Sequence, residues 1–287
     1  MLERVDRMQI AVEDRCRAAE TFCRLLGAAV VREEDSACLN AARTVLALGE
    51  SELELCAPRG AGPIAEHLAR WGEGLFAAGY ATSRLEELAA HLETLDAPFV
   101  RDGTQLQIPG TTTAGMPMVI SPLEVRPRVG PVSFLYEATN ALDSDWRAAS
   151  DLYTRLFRLE PAKFSTIESS RFNYAGTLTL FAPPHRLDRI ELSQTFTDRP
   201  GAMRRFVERR GGDSLYMCYV EAHDFRGLKQ RLAAGGATLI PRGPHLAAEH
   251  DGLWVHPKSL HGVLLGVSRT SLAWGWSGCP ELVLPSN

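Results

Sequence analysis

The chain has 287 residues, 45% hydrophobic and 23% charged, with a net charge of −4. That composition suits a folded chain of about two domains and excludes a mainly disordered one. The near balance of 31 basic and 35 acidic residues points away from nucleic acid and membrane surfaces as partners, and the apolar runs are too short to span a bilayer. No apolar signal segment opens the sequence. The six cysteines form no Cys-x-x-Cys pair, so they read as small buried hydrophobes of a reduced, cytoplasmic protein.

In chain order, the first elements are a strand and an amphipathic helix in VDRMQIAVEDRCRAAETFCRLLG (5–27). Val12, Cys16, Ala19, Phe22, Leu25 and Leu26 fall near one helical face. Strand-like runs follow near 28–32, 44–48 and 51–56. A second strand and helix come at 75–95, where Leu85, Leu88, Leu92 and Leu95 repeat the apolar stripe. Further strands follow near 98–101, 105–108 and 116–120. The Pro-rich segment SPLEVRPRVGP (121–131) reads as a linker. The order then starts again: a strand at 132, a helix near 144–157, strands near 171–194, a helix near 224–234 and strands near 237–267. Glycine-rich turns such as PRGAGP, RRGGD and AAGG punctuate the runs.

This recurrence is an internal repeat. SELELCAP (51–58) is echoed by DRIELSQT (188–195), and EGLFAAGYATSRLEELAAHL (73–92) by DSLYMCYVEAHDFRGLKQRL (213–232). Each half itself divides into two βαβββ units. The expected fold is therefore α+β, with tandem βαβββ modules paired into two domains, residues 1–125 and 131–270. A tail, 271–287, carries Trp274 and Trp276.

Three passages resemble the vicinal oxygen chelate superfamily, which includes glyoxalase I, methylmalonyl-CoA epimerase and the extradiol dioxygenases. MQIAVEDRCRAAETFCRLLG resembles the family's opening strand and helix. SELELCAP with RWGEGLFAAGYATS resembles the middle of an epimerase, and VHPKSLHGVLLGV (255–267) resembles the closing strands. The resemblance implies sheets curled into cups, each able to hold a divalent metal with side chains from the first, fourth, fifth and eighth strands.

This sequence departs from that ligand set. In the first half the implied positions fall on Arg7, Glu54, Ala77 and a closing strand without a carboxylate. In the second they fall near Phe134 or Tyr136, then on Glu191, Met217 and Gly266. An arginine repels a cation rather than binding it, so the expectation is no family-type metal and no cofactor. A rearranged metal site using His256 or His261, with His223 and His250 elsewhere in this half, stays open beside a loop-capping role for the histidines. His67, His91 and His185 read as surface residues.

Strand alternation selects the cup-facing side chains. In the first cup these are Arg7, Gln9, the small residues Ala77, Gly79 and Ala81, which leave room above the sheet, and Glu52 and Glu54. An Arg7–Glu54 pair across the floor is expected, either as an ion pair replacing a metal or as part of a ligand site. In the second cup they are Glu191, Met217, Tyr219 and Glu221, with Tyr136 or Glu137 from the first strand and Trp254 near the closing strands. The second cup reads as the more aromatic one, suited to a flat or medium-sized organic ligand. Glu191 and Glu221, with Glu54 in the other cup, are the candidate acid–base groups. Lys258 and the arginines of RPGAMRRFVERR (199–210) suit either a phosphate or a solvated helix face.

The functional expectation is a small-molecule-binding protein, an isomerase, epimerase or lyase acting on a small organic acid or carbonyl compound. Sequestration of an aromatic ligand is the alternative, and an extradiol-type dioxygenase stands behind both. A small molecule is the expected partner, with a homodimer possible in solution.

Overall fold

A computed structural model of the chain describes residues 1–198, 200–241 and 252–285. The first half builds one eight-stranded mixed sheet. Its strands are β1 (Arg4–Ala11), β2 (Ala29–Ser36), β3 (Ala41–Leu48), β4 (Ser51–Pro58), β5 (Gly74–Thr82), β6 (Val100–Asp102), β7 (Gln105–Ile108) and β8 (Met118–Pro122). The order is β2-β3-β4-β1-β5-β8-β7-β6. The second half repeats it with β9 (Val132–Leu142), β10 (Ser165–Ser169), β11 (Tyr174–Leu180), β12 (Arg189–Thr195), β13 (Ser214–Ala222), β14 (Leu239–Pro241), β15 (Gly252–Val255) and β16 (Leu265–Arg269). There the order is β10-β11-β12-β9-β13-β16-β15-β14. In each sheet the two central strands open the two βαβββ modules and run antiparallel, each with a parallel neighbour on its outer side.

The expected helices form where the apolar stripes fall: α1 (Arg15–Leu26), α3 (Leu85–Thr94), α4 (Trp146–Phe157) and α6 (Phe225–Ala234). Asp14 caps α1 by accepting the N–H groups of Cys16 and Arg17, and Asp145 and Asp224 cap α4 and α6 in the same way. α2 (Pro63–Trp71) is not among the expected elements, and α5 (Ala202–Arg210) falls in RPGAMRRFVERR, where a solvated helix face is one of the two readings. Each is short and joins the two modules of its half. Each buries only one or two side chains, Ile64 in α2 and Met203 with Val207 in α5, so the apolar stripe is too thin to read. The cysteine expectation holds only in part: all six are free, but only Cys56 and Cys218 are buried, and Cys16 is exposed.

Helix-side residues of both sheets merge into one apolar core. Backbone joints reinforce the contact between the halves. Gly49 bridges Val129, and Glu50 donates to the Ser133 carbonyl at 2.8 Å. The Val5 N–H donates to the buried Asp188 carboxylate at 2.7 Å. Two helix ends are capped in trans: the Arg231 guanidinium of α6 donates to the Cys23 and Arg24 carbonyls of α1, and the Arg24 guanidinium donates to the Gly235 carbonyl just after α6. The equivalent helix pair, α3 and α4, is joined by His91, whose ring lies 2.9 Å from the Arg155 carbonyl. His91 is thus a joint between the halves rather than a free surface residue. His67 is likewise half-buried, edge-on to Phe76. Among the described residues no helix is long and apolar enough to cross a membrane.

Gly49 tests this joint. Its φ is +61°, and a Cβ there would lie 2.3 Å from the Ser133 carbonyl oxygen. Gly49→Ala is expected to lower unfolding stability by about 1–3 kcal/mol. Urea titration with an unchanged midpoint would contradict it.

Candidate functional site

Each central opening strand carries a bulge that turns two consecutive residues toward the cup. In β1 the register slips between Val5 and Arg7, and Asp6 and Arg7 bond to each other. In β9 it slips at the place where Tyr136 lies between the paired residues Leu135 and Glu137. The choice between Tyr136 and Glu137 is therefore resolved by both facing inward. Two residues further on, Gln9 pairs with Glu54 and Ala77, and Thr139 pairs with Glu191 and Met217. The central first-strand positions are thus Gln9 and Thr139, not Arg7 and not Phe134 or Tyr136. The position implied by the resemblance therefore falls two residues early in β1 and three to five early in β9.

The first cup is filled by its own charges. Arg7 Nη1 donates to Glu54 Oε1 at 2.6 Å, as expected, and Arg7 Nη2 donates to Asp6 at 2.6 Å. Gln9 and Gln105 each donate to Glu54 at 2.8 Å, and Arg43 stands 3.4 Å from the same carboxylate. Arg126 and Arg32 close on Asp6 and Glu52 at 2.6 and 2.5 Å. Burial by itself would raise the Glu54 pKa, but Arg7 and Arg43 outweigh it and hold the carboxyl below its usual range. The room expected above Gly79 is taken up: a Cβ there would lie 2.1 Å from Arg7 Cγ. Arg7, Gln9 and Glu54 are at most 3% exposed. They form a sealed floor, so a ligand does not reach them in this arrangement.

The second cup is open. It encloses a cavity of about 590 Å³, within the ordinary range for small-molecule sites. Met217, Tyr219, Leu264, Phe172 and Trp254 supply apolar wall, and Glu191 and Tyr216 supply polar groups. Trp254 Nε1 donates to the Tyr219 hydroxyl at 2.7 Å, and Phe172 meets Trp254 edge-on with ring centroids 5.5 Å apart. The tail docks here. Trp274 is buried in the apolar cluster beneath the cavity, and Trp276 lines the cavity itself. Tyr136 stands behind the wall, its ring 5.8 Å from that of Tyr219 and its hydroxyl 2.9 Å from Ser268.

Glu168 lines this cavity but is exposed, and Glu191 is the buried acid that faces it. Its partner is Glu137 rather than the expected Glu221. The Thr139 hydroxyl lies 3.2 Å from Glu137 and 3.5 Å from Glu191, bridging the two carboxyls. Arg189, wholly buried, donates to Glu137 at 2.7 Å and to Ser277 of the tail at 2.7 Å. Ser193 donates to Glu191 at 2.5 Å. Burial pushes the Glu191 pKa well above the carboxylate range, and the negative Glu137 beside it adds to the rise. The protonated form of Glu191 is therefore more favoured than that of an ordinary carboxyl. Glu221 is occupied elsewhere: it accepts the Ser271 N–H at 3.0 Å, anchoring the tail, and is not among the residues lining the cavity. Glu137 is the residue that sequence reasoning left undecided.

No protein-family model matches the sequence, and no curated protein matches it either. Solved structures do. A triple mutant of 4-hydroxymandelate synthase from Streptomyces coelicolor superposes with a TM-score of 0.73 at 16% identity, covering 93% of each chain. The chain shares that structure's fold, here two eight-stranded mixed sheets with six α-helices among the described residues. A fusion of a xylose isomerase-like barrel with 4-hydroxyphenylpyruvate dioxygenase matches at TM-score 0.65 and 11% identity, over 94% of this chain and 49% of that one. Methylmalonyl-CoA epimerase from Mycobacterium tuberculosis, 17% identical with a TM-score of 0.42, covers 50% of this chain and 93% of its own.

The comparison corrects one expectation. Enzymes sharing this fold are typically metal-dependent, so the reading of the chain as needing no cofactor does not stand. The described residues nevertheless do not fit the family's metal. The row across the second cup holds Glu191, Thr139 and Met217, which is one good donor. A Cβ on Gly266, the implied closing-strand position, would lie 2.0 Å from the Tyr219 ring, leaving no space for a carboxylate. No group of three or more His, Cys, Asp or Glu able to hold a metal occurs among the described residues. His256 accepts the Lys258 N–H at 3.1 Å, and His261 Nδ1 sits 2.7 Å from Glu73, both at the edge of a turn. His223 is exposed, and His250 lies outside the described residues.

The contrast between the cups can be tested on each side. Arg7→Met strips Glu54, Glu52 and Asp6 of a shared cation, and an uncompensated buried charge costs about 3–5 kcal/mol; chemical denaturation with no loss of stability would contradict the network. For Glu191 the sign is opposite to that of a salt-bridged acid. Its folded pKa is raised above the ordinary 4.5, so the unfolded chain releases the proton first and stability falls as pH rises above about 4.5 until the folded group ionises. Glu191→Gln removes that decline. Parallel stability–pH curves for the wild type and the Glu191→Gln variant would show that the carboxyl titrates normally.

Proposed function

We propose that the second cup binds a medium-sized organic acid or carbonyl compound with an apolar or aromatic body, and that Glu191 moves a proton at the carbon next to its carbonyl. The observation behind this reading is the buried Glu137–Glu191 pair at the base of an aromatic cavity, where burial and the neighbouring carboxylate raise the Glu191 pKa. Perturbed acids of this kind gather at functional sites. The reaction class is isomerisation or epimerisation.

The steps use groups already in place. Glu191 passes its proton to Glu137, directly or through the Thr139 hydroxyl. The Glu191 carboxylate then takes the substrate's α-proton and later returns it, to the other face or to a neighbouring atom. Glu137 serves as proton reservoir, and Arg189 carries its charge when it is ionised. The Tyr216 phenol, raised above its ordinary pKa by burial, stays protonated and can donate to the oxygen that gains charge. Met217, Tyr219 and Trp254 hold the apolar body and exclude water. The first cup, with Arg7, Gln9 and Glu54, keeps a structural role. A second reading, oxygenase chemistry, has the full-length likeness to 4-hydroxymandelate synthase in its favour; that likeness is one of fold.

The test pairs binding with exchange. A panel of aromatic and aliphatic 2-oxo acids and thioesters is screened by thermal shift, since a ligand of the folded state raises the melting temperature. Binders are then incubated in deuterium oxide. The expected result is deuterium at the α-carbon, reduced at least about 100-fold in Glu191→Gln and retained in Glu221→Gln. Binding without exchange favours sequestration, stoichiometric iron with oxygen uptake favours the oxygenase reading, and either overturns the proton-transfer proposal.

A further inference from the structure

A second cavity lies at the seam between the halves, away from the aromatic cup. It measures about 630 Å³ and is lined by the exposed face of α1, the segment just after α6, and the turn 257–262. Its charged lining is Arg17, Arg24, Lys258, His261 and Glu73. Arg17, Thr21 and Arg24 recur at helical spacing, so one face of α1 points all three the same way.

The single carboxylate is already engaged. Glu73 Oε2 faces His261 Nδ1 at 2.7 Å, and its Oε1 accepts the Glu13 N–H at 2.9 Å. His261 is held further by Thr21, 3.3 Å from its other ring nitrogen. Arg24 is fixed in direction by its 2.6 Å bond to the Gly235 carbonyl, a neutral acceptor that leaves its charge uncompensated. Arg17 and Lys258 make no side-chain hydrogen bond or ion pair among the described residues. Three cations from two halves thus converge on a concave polar space in a chain whose net charge is −4. A solvated helix face would be convex and served by one element; this one is a cleft with a cation on either wall.

We propose that this seam is an anion site that takes the phosphate group of a small molecule, bridging Arg17 and Arg24 of the first half to Lys258 of the second. Guanidinium groups bind phosphate oxygens in a fork, and a lysine adds a point charge. The site is independent of the chemistry in the aromatic cup. A bound phosphate would also tie the two halves together at the place where α1 and α6 cap each other.

The probes are inorganic phosphate and pyrophosphate, titrated at constant ionic strength against wild type, the double variant Arg17→Ala with Lys258→Ala, and Glu191→Gln, with acetate as the control anion. Calorimetry should show saturable binding of both phosphates to wild type and no binding of acetate. The double variant should bind at least about 10-fold more weakly, the factor set by losing one charge-assisted contact, and Glu191→Gln should bind as wild type does. Both altered side chains are exposed, so circular dichroism and the unliganded melting temperature should not change. Absence of saturable binding, or equal binding by the double variant, which would mark an adventitious ion only, overturns the proposal.

Discussion

The structure turns on how a buried carboxylate at the same point of each cup is neutralised. Glu54 and Glu191 occupy equivalent places on β4 and β12, each opposite the central first strand. Neither stays charged without a partner, because moving a lone carboxylate out of water costs far more than a fold can sustain. In the first cup the partner is a guanidinium: Arg7 and Arg43 hold Glu54 ionised. In the second, Arg189 goes to Glu137, and burial beside that carboxylate raises the Glu191 pKa and favours its protonated form. From that single difference follow a dense ionic floor in one half and an acid facing a cavity in the other.

The opening-strand bulges make the difference possible. A bulge presents two neighbours on one side, Asp6 with Arg7 in the first half and Tyr136 with Glu137 in the second. The pair Asp6–Arg7 is itself an ion pair and spreads toward Glu52, Glu54 and Arg126. The pair Tyr136–Glu137 divides its tasks, one extending the aromatic wall and the other partnering Glu191. The tail then completes the second cup, through Trp276 at the cavity, Ser277 on Arg189 and Ser271 on Glu221.

The duplication was legible in the sequence because strand and helix patterns repeat together, and the echoed strings SELELCAP and DRIELSQT mark β4 and β12 directly. Cup-facing residues such as Arg7, Met217 and Tyr219 follow from alternation. What alternation does not show is where a bulge falls, so the phase of β9 stays open between Tyr136 and Glu137, and the implied metal position falls on Arg7 although alternation itself places Gln9 in the cup. Small residues mislead in the same way. Gly79 reads as empty space, but Arg7 lies over it, and Gly266 reads as a lost ligand, whereas Tyr219 covers it. Long-range hydrogen bonds leave no periodic trace, so the diversion of Glu221 to the tail could not be read from spacing.

Infrared spectroscopy of the carboxyl groups tests the central difference most directly. At neutral pH the wild-type protein should show a protonated carboxyl stretch that shifts in deuterium oxide, disappears in Glu191→Gln and persists in Glu54→Gln. Absence of that band from the wild-type spectrum, with every buried carboxyl ionised, would contradict the account.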